Sequence, residues 1–246
     1  MDDLDQLVRR VDEDRWLASR FAAADVRSRL IAVYALNYEL ARVADAVTTP
    51  AAGDIRFAWW RDALDEIIGG VVVRAHPVLQ AFARAHAQTP FKHDALNALI
   101  EARARELDAQ PFATLAERET YVGGTAGATA RLAVVAAGGG EATEELARQA
   151  GLAWGYTGLL RAEAAWSARG WRVLIGDETK ADLAERALGA QQSVRALGKM
   201  PAPLMPALGY VALSPTYVRA VMRGAGALSL FSRQLKLVQT AASGCL

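Results

Sequence analysis

Residues 29–47 read Arg29-Leu30-Ile31-Ala32-Val33-Tyr34-Ala35-Leu36-Asn37-Tyr38-Glu39-Leu40-Ala41-Arg42-Val43-Ala44-Asp45-Ala46-Val47. Apolar side chains recur here at intervals of three and four, the period of a helix, and no polar–apolar alternation of a strand runs through them. With Asp25 read as the N-cap and Thr48-Thr49-Pro50 as the stop, the spacing predicts one long helix ending at Ala46. Tyr34, Asn37, Ala41 and Asp45 fall on roughly one face of it, continued by Leu30 and Val33, so that face is expected to point inward. An Asn and an Asp on an apolar stripe need partners. Either helix ends or a buried arginine satisfy them, or they line a polar pocket.

The same period extends in both directions along the chain. Helices are expected over 4–21, 54–68, 77–87, 93–108, 114–137, 141–165 and 178–197, punctuated by Gly69-Gly70 and Gly138-Gly139-Gly140. Residues 167–177 read as a loop with a short extended piece. The prolines between Pro201 and Pro206 read as a connector, and two or three short helices close the chain by 246. No internal repeat or long polar linker divides the 246 residues, so a single all-α domain is expected over 1–246.

Composition narrows the function. Hydrophobic residues make up 52% of the chain, enough for a large core, and the net charge is +1. Because the basic residues read as interleaved with acidic ones rather than gathered in a stripe, no nucleic-acid partner is expected. Cys245 is the sole cysteine, which suits a reducing compartment. The acidic start, Met1-Asp2-Asp3-Leu4-Asp5, is not a secretory or transit leader, and no apolar run approaches the ~20 residues of a membrane span. A cytoplasmic protein is expected, with peripheral contact to the inner membrane left open.

Common catalytic patterns are absent. Gly123-Gly124-Thr125-Ala126-Gly127 lacks the lysine of a phosphate loop, and His76, His86 and His93 have no metal-ligand spacing. A later helix carries Gly151, Gly155, Gly158 and Ala162 as a stripe of small residues. Each helical glycine costs about 1 kcal/mol against alanine, so the stripe serves either close helix packing or room for a ligand. Arg161, Glu163, Arg169 and Arg172 lie just beyond it, a group able to hold an anion or to tie a loop down.

Six segments together resemble the squalene/phytoene synthase family. They are Asp14–Ser19, Arg29–Asn37, Trp59–Asp65 with His76-Pro77-Val78, Tyr121–Gly127, Gly151–Arg161, and Gly170–Leu174. They stand in the family's order over about residues 12–180, leaving 201–246 as short divergent helices. The resemblance implies a helical bundle of the isoprenoid-synthase type around a central cavity, closed by the loop near Gly170. It also implies Mg²⁺ held between two aspartate-rich helix motifs and the diphosphates of two isoprenyl substrates, since hard Mg²⁺ seeks carboxylate oxygen.

Against that pattern, the first motif reads Ala41-Arg42-Val43-Ala44-Asp45, and the second has Gly158, Ala162 and Trp166 where Asn and Asp are expected. Of the implied metal ligands only Asp45 remains. Asn37 through Val47 instead resembles a divergent branch of the family, the mitochondrial and α-proteobacterial proteins linked to assembly of respiratory complex I. The leading expectation is therefore a pseudoenzyme without a cofactor that binds a protein client of a respiratory complex. One alternative is an active Mg²⁺-dependent prenyltransferase of terpenoid biosynthesis using Asp45 with Glu39 or Glu163. Another is an isoprenoid or lipid carrier whose head group meets Arg42, Arg161 and Arg172. The pocket is expected to draw on Tyr34, Asn37, Ala41, Arg42, Asp45, Tyr121, Gly155, Gly158, Arg161, Ala162, Glu163 and Arg172.

Overall fold

The computed structural model describes residues 2–108, 110–225 and 227–246. The first expected helix is two, α1 (Asp2–Val11) and α2 (Glu13–Ser19), because Asp12 leaves the helical region at φ −146° and caps α2. Its carboxylate pairs with the Arg15 guanidinium at 2.6 Å. Helix α3 (Ala24–Ala41) follows, with α1, α5 and α8 packed around it. Residues 30–37 of α3 are all buried, so the helix is enclosed on every side.

Helix α3 does not reach Ala46. It gives way after Ala41 to a tight turn and one 3₁₀ turn over Ala44–Ala46, while Val43 stays buried as an anchor. The Thr49-Pro50 pair read as a stop is instead a start. The Thr49 hydroxyl accepts from the Ala52 N–H, and Pro50 opens α4 (Pro50–Ile68), where its missing N–H costs nothing. His76 caps α5 (Pro77–Gln88), and α6 (His93–Ala104) runs on into a 3₁₀ turn.

The helix expected over 114–137 is broken into α7 (Leu115–Val122), a π turn at Gly123–Gly127, and α8 (Ala128–Ala136). Helix α9 (Glu144–Ala168) is the longest, and α10 (Lys180–Ala196) packs along it after a Thr179–Asp182 capping box. The chain ends in α11 (Met205–Leu208), α12 (Ser214–Met222) and α13 (Leu230–Ser243). Among the described residues there is no strand, so the extended piece expected within 167–177 is absent.

One large core joins α1–α6, α8, the first half of α9 and the 204–217 segment. A smaller one gathers Tyr121, Tyr156, Leu160, Trp171 and Leu183 around the second half of α9. The 169–179 loop is fastened to the second core. Arg118, wholly buried, donates to the Val173 carbonyl at 3.0 Å and to Glu178 at 2.7 Å. Trp171 stacks on Trp166 with ring centres 4.3 Å apart and donates its indole N–H to the Gln110 carbonyl.

Candidate functional site

Where α2, α3, α6, α7 and α9 converge, they leave a cavity of about 210 Å³. Of the residues singled out from the sequence, Asn37, Tyr121, Gly155 and Gly158 line it. Arg15, Arg103, Thr125, Trp154 and Trp166 line it as well. Trp166, covered by the stacked Trp171, thus joins the cavity wall to the loop beyond Gly170.

Several polar side chains at the cavity are joined by hydrogen bonds. The Asn37 side-chain oxygen accepts from Arg103 Nη2 at 3.2 Å and from the Thr129 hydroxyl at 3.0 Å. Arg103 is in turn paired with Glu106 at 2.6 Å, and the Tyr121 hydroxyl donates to the same carboxylate at 2.7 Å. Burial, reinforced by Glu106, holds the Tyr121 phenol well above its ordinary pKa, so it stays a donor. The asparagine oxygen is therefore met by a buried arginine, and the residue also borders the cavity.

Arg15 stands in an aromatic box, its guanidinium carbon 5.0 Å from the Tyr210 ring centre and 5.6 Å from that of Tyr34. Burial works against its charge, but Asp12 and the tyrosines outweigh this and keep it protonated. Tyr34 itself reaches past the cavity and donates to the Ala207 carbonyl at 3.3 Å. Trp154 packs edge-on to Tyr210 at 4.9 Å, filling the interior with rings.

The remaining expected site residues lie elsewhere. Asp45, expected on the inward face, is on the surface: the 3₁₀ turn after Ala41 rotates it away from the helical register. It pairs with Arg169 at 2.8 Å, both side chains being about two-thirds exposed (66% and 64%). Ala41 and Ala162 are partly buried outside the cavity lining, and Arg42 and Arg172 are exposed. Arg42 pairs with Glu39 at 3.3 Å. Glu163 is buried but faces α10, where Lys180 approaches to 2.7 Å and holds its carboxyl below the usual range, with help from Ser167.

Arg161 belongs to a different cleft, of about 560 Å³, between α2, α9 and α12–α13. It lies 3.9 Å over the Tyr217 ring. The Tyr217 hydroxyl donates to buried Asp14 at 2.7 Å, and Arg233 donates to the same carboxylate at 3.0 Å. Arg15, Arg103, Asp14 and Arg233 escape a reading of the sequence. Asp12-x-x-Arg15 and Arg103-x-x-Glu106 do show as opposite charges three apart, but that spacing is as common on a solvated helix face.

The sequence profile described as squalene/phytoene synthase matches residues 8–204, beyond the 12–180 that the motifs alone mark out. The chain belongs to the squalene/phytoene synthase family. Within the curated proteins it is similar to the NADH dehydrogenase (ubiquinone) complex I, assembly factor 6 of Bos taurus and of Homo sapiens, at 28% and 27% identity over 120 residues. Those residues are 49% of this chain and 36% of each relative, so the match spans about a third of the relatives' length. Among solved structures it is similar to squalene synthase HpnC from Alicyclobacillus acidocaldarius, with a TM-score of 0.76 and 17% identity over 91% of this chain and 93% of the other. A dehydrosqualene synthase gives 0.77 and 14% over 98% and 94%. At those identities the likeness establishes the fold.

Proposed function

We propose that this chain is a non-catalytic member of its family that acts by binding a protein client during assembly of respiratory complex I. The observation that carries the reading is the charge of the cavity. Prenyl transfer through Mg²⁺ calls for carboxylate oxygens around the diphosphates. The cavity is lined instead by the guanidinia of Arg15 and Arg103, and their carboxylate partners Asp12 and Glu106 are engaged by them. Asp45 is committed to Arg169 at the surface and Glu163 to Lys180, so these residues do not fit a shared metal site.

Volume points the same way. The arginine-lined cavity, at about 210 Å³, is below the roughly 300–1,000 Å³ of ordinary ligand pockets, and the larger cleft of about 960 Å³ beside Tyr121 is lined by other residues than Asn37, Arg15 and Arg103. The assembly role draws on the resemblance to the complex I assembly factors. The client would be met on the cytoplasmic side of the membrane in which the complex is built.

The test is to incubate the full chain with farnesyl and geranylgeranyl diphosphate, with and without millimolar Mg²⁺, and to follow diphosphate release and binding. Neither binding nor release is expected. Mg²⁺-dependent release that disappears in Asp45→Ala would overturn the proposal in favour of prenyl transfer. Tight binding without release would replace it with a lipid carrier.

A further inference from the structure

Charge is distributed unevenly along this chain. Up to Glu185 it holds 27 acids and 21 cations, interleaved; from Arg186 to Leu246 it holds seven cations and no acid. The interleaving that argues against a polyanionic partner therefore stops at Glu185. Arg195, Lys199, Arg219 and Arg223 of this acid-free stretch are all exposed.

The same stretch contains α13, an amphipathic helix docked by one face only. Leu237 and Thr240 are buried on that face, and Arg233 is fastened to Glu13 and Asp14. On the opposite side Phe231, Leu235 and Val238 follow one another at i, i+4 and i+7 and are 74%, 47% and 55% exposed. Because the buried face is firmly held, this ridge is not the product of a loosely attached terminus. Cations stand at its C-terminal end, where the Lys199 side chain lies against Gly244 and Arg195 donates to the Leu246 carbonyl at 2.7 Å. Exposed Met222 and Arg223 close α12 just before it.

An apolar ridge on a stably anchored helix, within a stretch of chain whose charged side chains are all cations, matches a bilayer carrying anionic lipids. We infer that α13 is a membrane-docking element: Phe231, Leu235 and Val238 enter the headgroup boundary of an anionic leaflet, and the surrounding cations meet the lipid phosphates. A polyanion such as nucleic acid would satisfy the charges but leave the ridge in water. A second copy of the chain would cover the ridge but bring like charges together.

The experiment is co-sedimentation of the full chain with vesicles of phosphatidylcholine alone and of phosphatidylcholine with 30% phosphatidylglycerol. Expected are partitioning at least about tenfold stronger into the anionic vesicles, weakening in 0.5 M salt, and loss of about tenfold or more in Phe231→Ser/Leu235→Ser. Both positions are exposed, so circular dichroism and the melting temperature of that variant should match the parent. Lys199→Glu/Arg223→Glu should lose the anionic preference alone. Absence of partitioning, partitioning unchanged in the Phe231/Leu235 variant, or sedimentation equilibrium showing a dimer that this variant dissolves would each overturn the inference. None of these outcomes bears on prenyl diphosphate turnover.

Discussion

Asn37 and Asp45, eight residues apart, differ in kind once the chain is folded. Asn37 is a junction: its oxygen receives donors from α6 and α8. In Asn37→Ala the Arg103 N–H loses this acceptor in a buried place, while Thr129 keeps the Thr125 carbonyl at 2.9 Å, so unfolding in urea should show a loss of about 1–3 kcal/mol. Asp45→Ala breaks only an exposed pair and should change stability by less than about 1 kcal/mol in the same measurement. Equal losses would contradict the placement of both residues. Helical spacing put them on one face, and that held for Asn37 because the helix holds. It failed for Asp45 because the helix stops four residues short.

The glycine stripe of α9 was ambiguous between close packing and ligand room; close packing holds at Gly151 and Gly155, and Gly158 borders open space. A Cβ on Gly151 would stand 2.4 Å from the Gly127 Cα, and a Cβ on Gly155 would meet Val122 and Ala126 side chains. At Gly158 it would meet nothing within 4 Å, since that turn borders the cavity. The Gly151 contact is backbone on backbone, made where the π turn brings Gly127 against α9. Gly151→Ala should therefore cost about 1–3 kcal/mol through overpacking, with a lowered melting temperature. Gly158→Ala should be neutral or gain up to about 1 kcal/mol from helix propensity. Thermal melts of the two variants separate these cases, and a destabilised Gly158→Ala would argue that the space is smaller than described.

Across the molecule, carboxylates are tied to cations, within a helix as at Glu145 and Arg148 or between elements as at Glu178 and Arg118, and their titration should govern acid stability. Lys180 lowers Glu163, Arg74 lowers Glu66, and Arg148 pulls Glu145 down to about 2. For Glu178, burial pushes the pKa up, but Arg118 and the Ile175 N–H outweigh it. Each folded value lies below the unfolded value of about 4.5, so the unfolded chain takes up protons first as pH falls. Stability from these groups is complete above about pH 4.5 and declines as pH drops through their folded values. Melting temperatures followed by circular dichroism from pH 7 to pH 3 should be level at the top and fall at the bottom. Lys180→Met should shrink the fall. A melting temperature constant to pH 3 would mean that these pairs carry no net stabilisation.

Helical class, helix number to within the broken pieces, and family were determined by the sequence itself. They depend on local period, caps and the order of short motifs, and these survive in one dimension. The break in 114–137 and the early end of α3 were not legible, because Gly123-Gly124-Thr125-Ala126-Gly127 and Ala41-Arg42-Val43-Ala44 suit helix as well as turn, and packing selects between them. The cavity was half legible. Asn37, Tyr121, Gly155 and Gly158 stand out as unusual on apolar helices, whereas Arg15 and Arg103 look like surface residues until α2 and α6 turn them inward. Tertiary structure alone decided that the interior is lined by guanidinium groups while Asp45 faces water. Whether a charge is buried is a property of the neighbours it meets, and for these residues the neighbours are up to two hundred positions away.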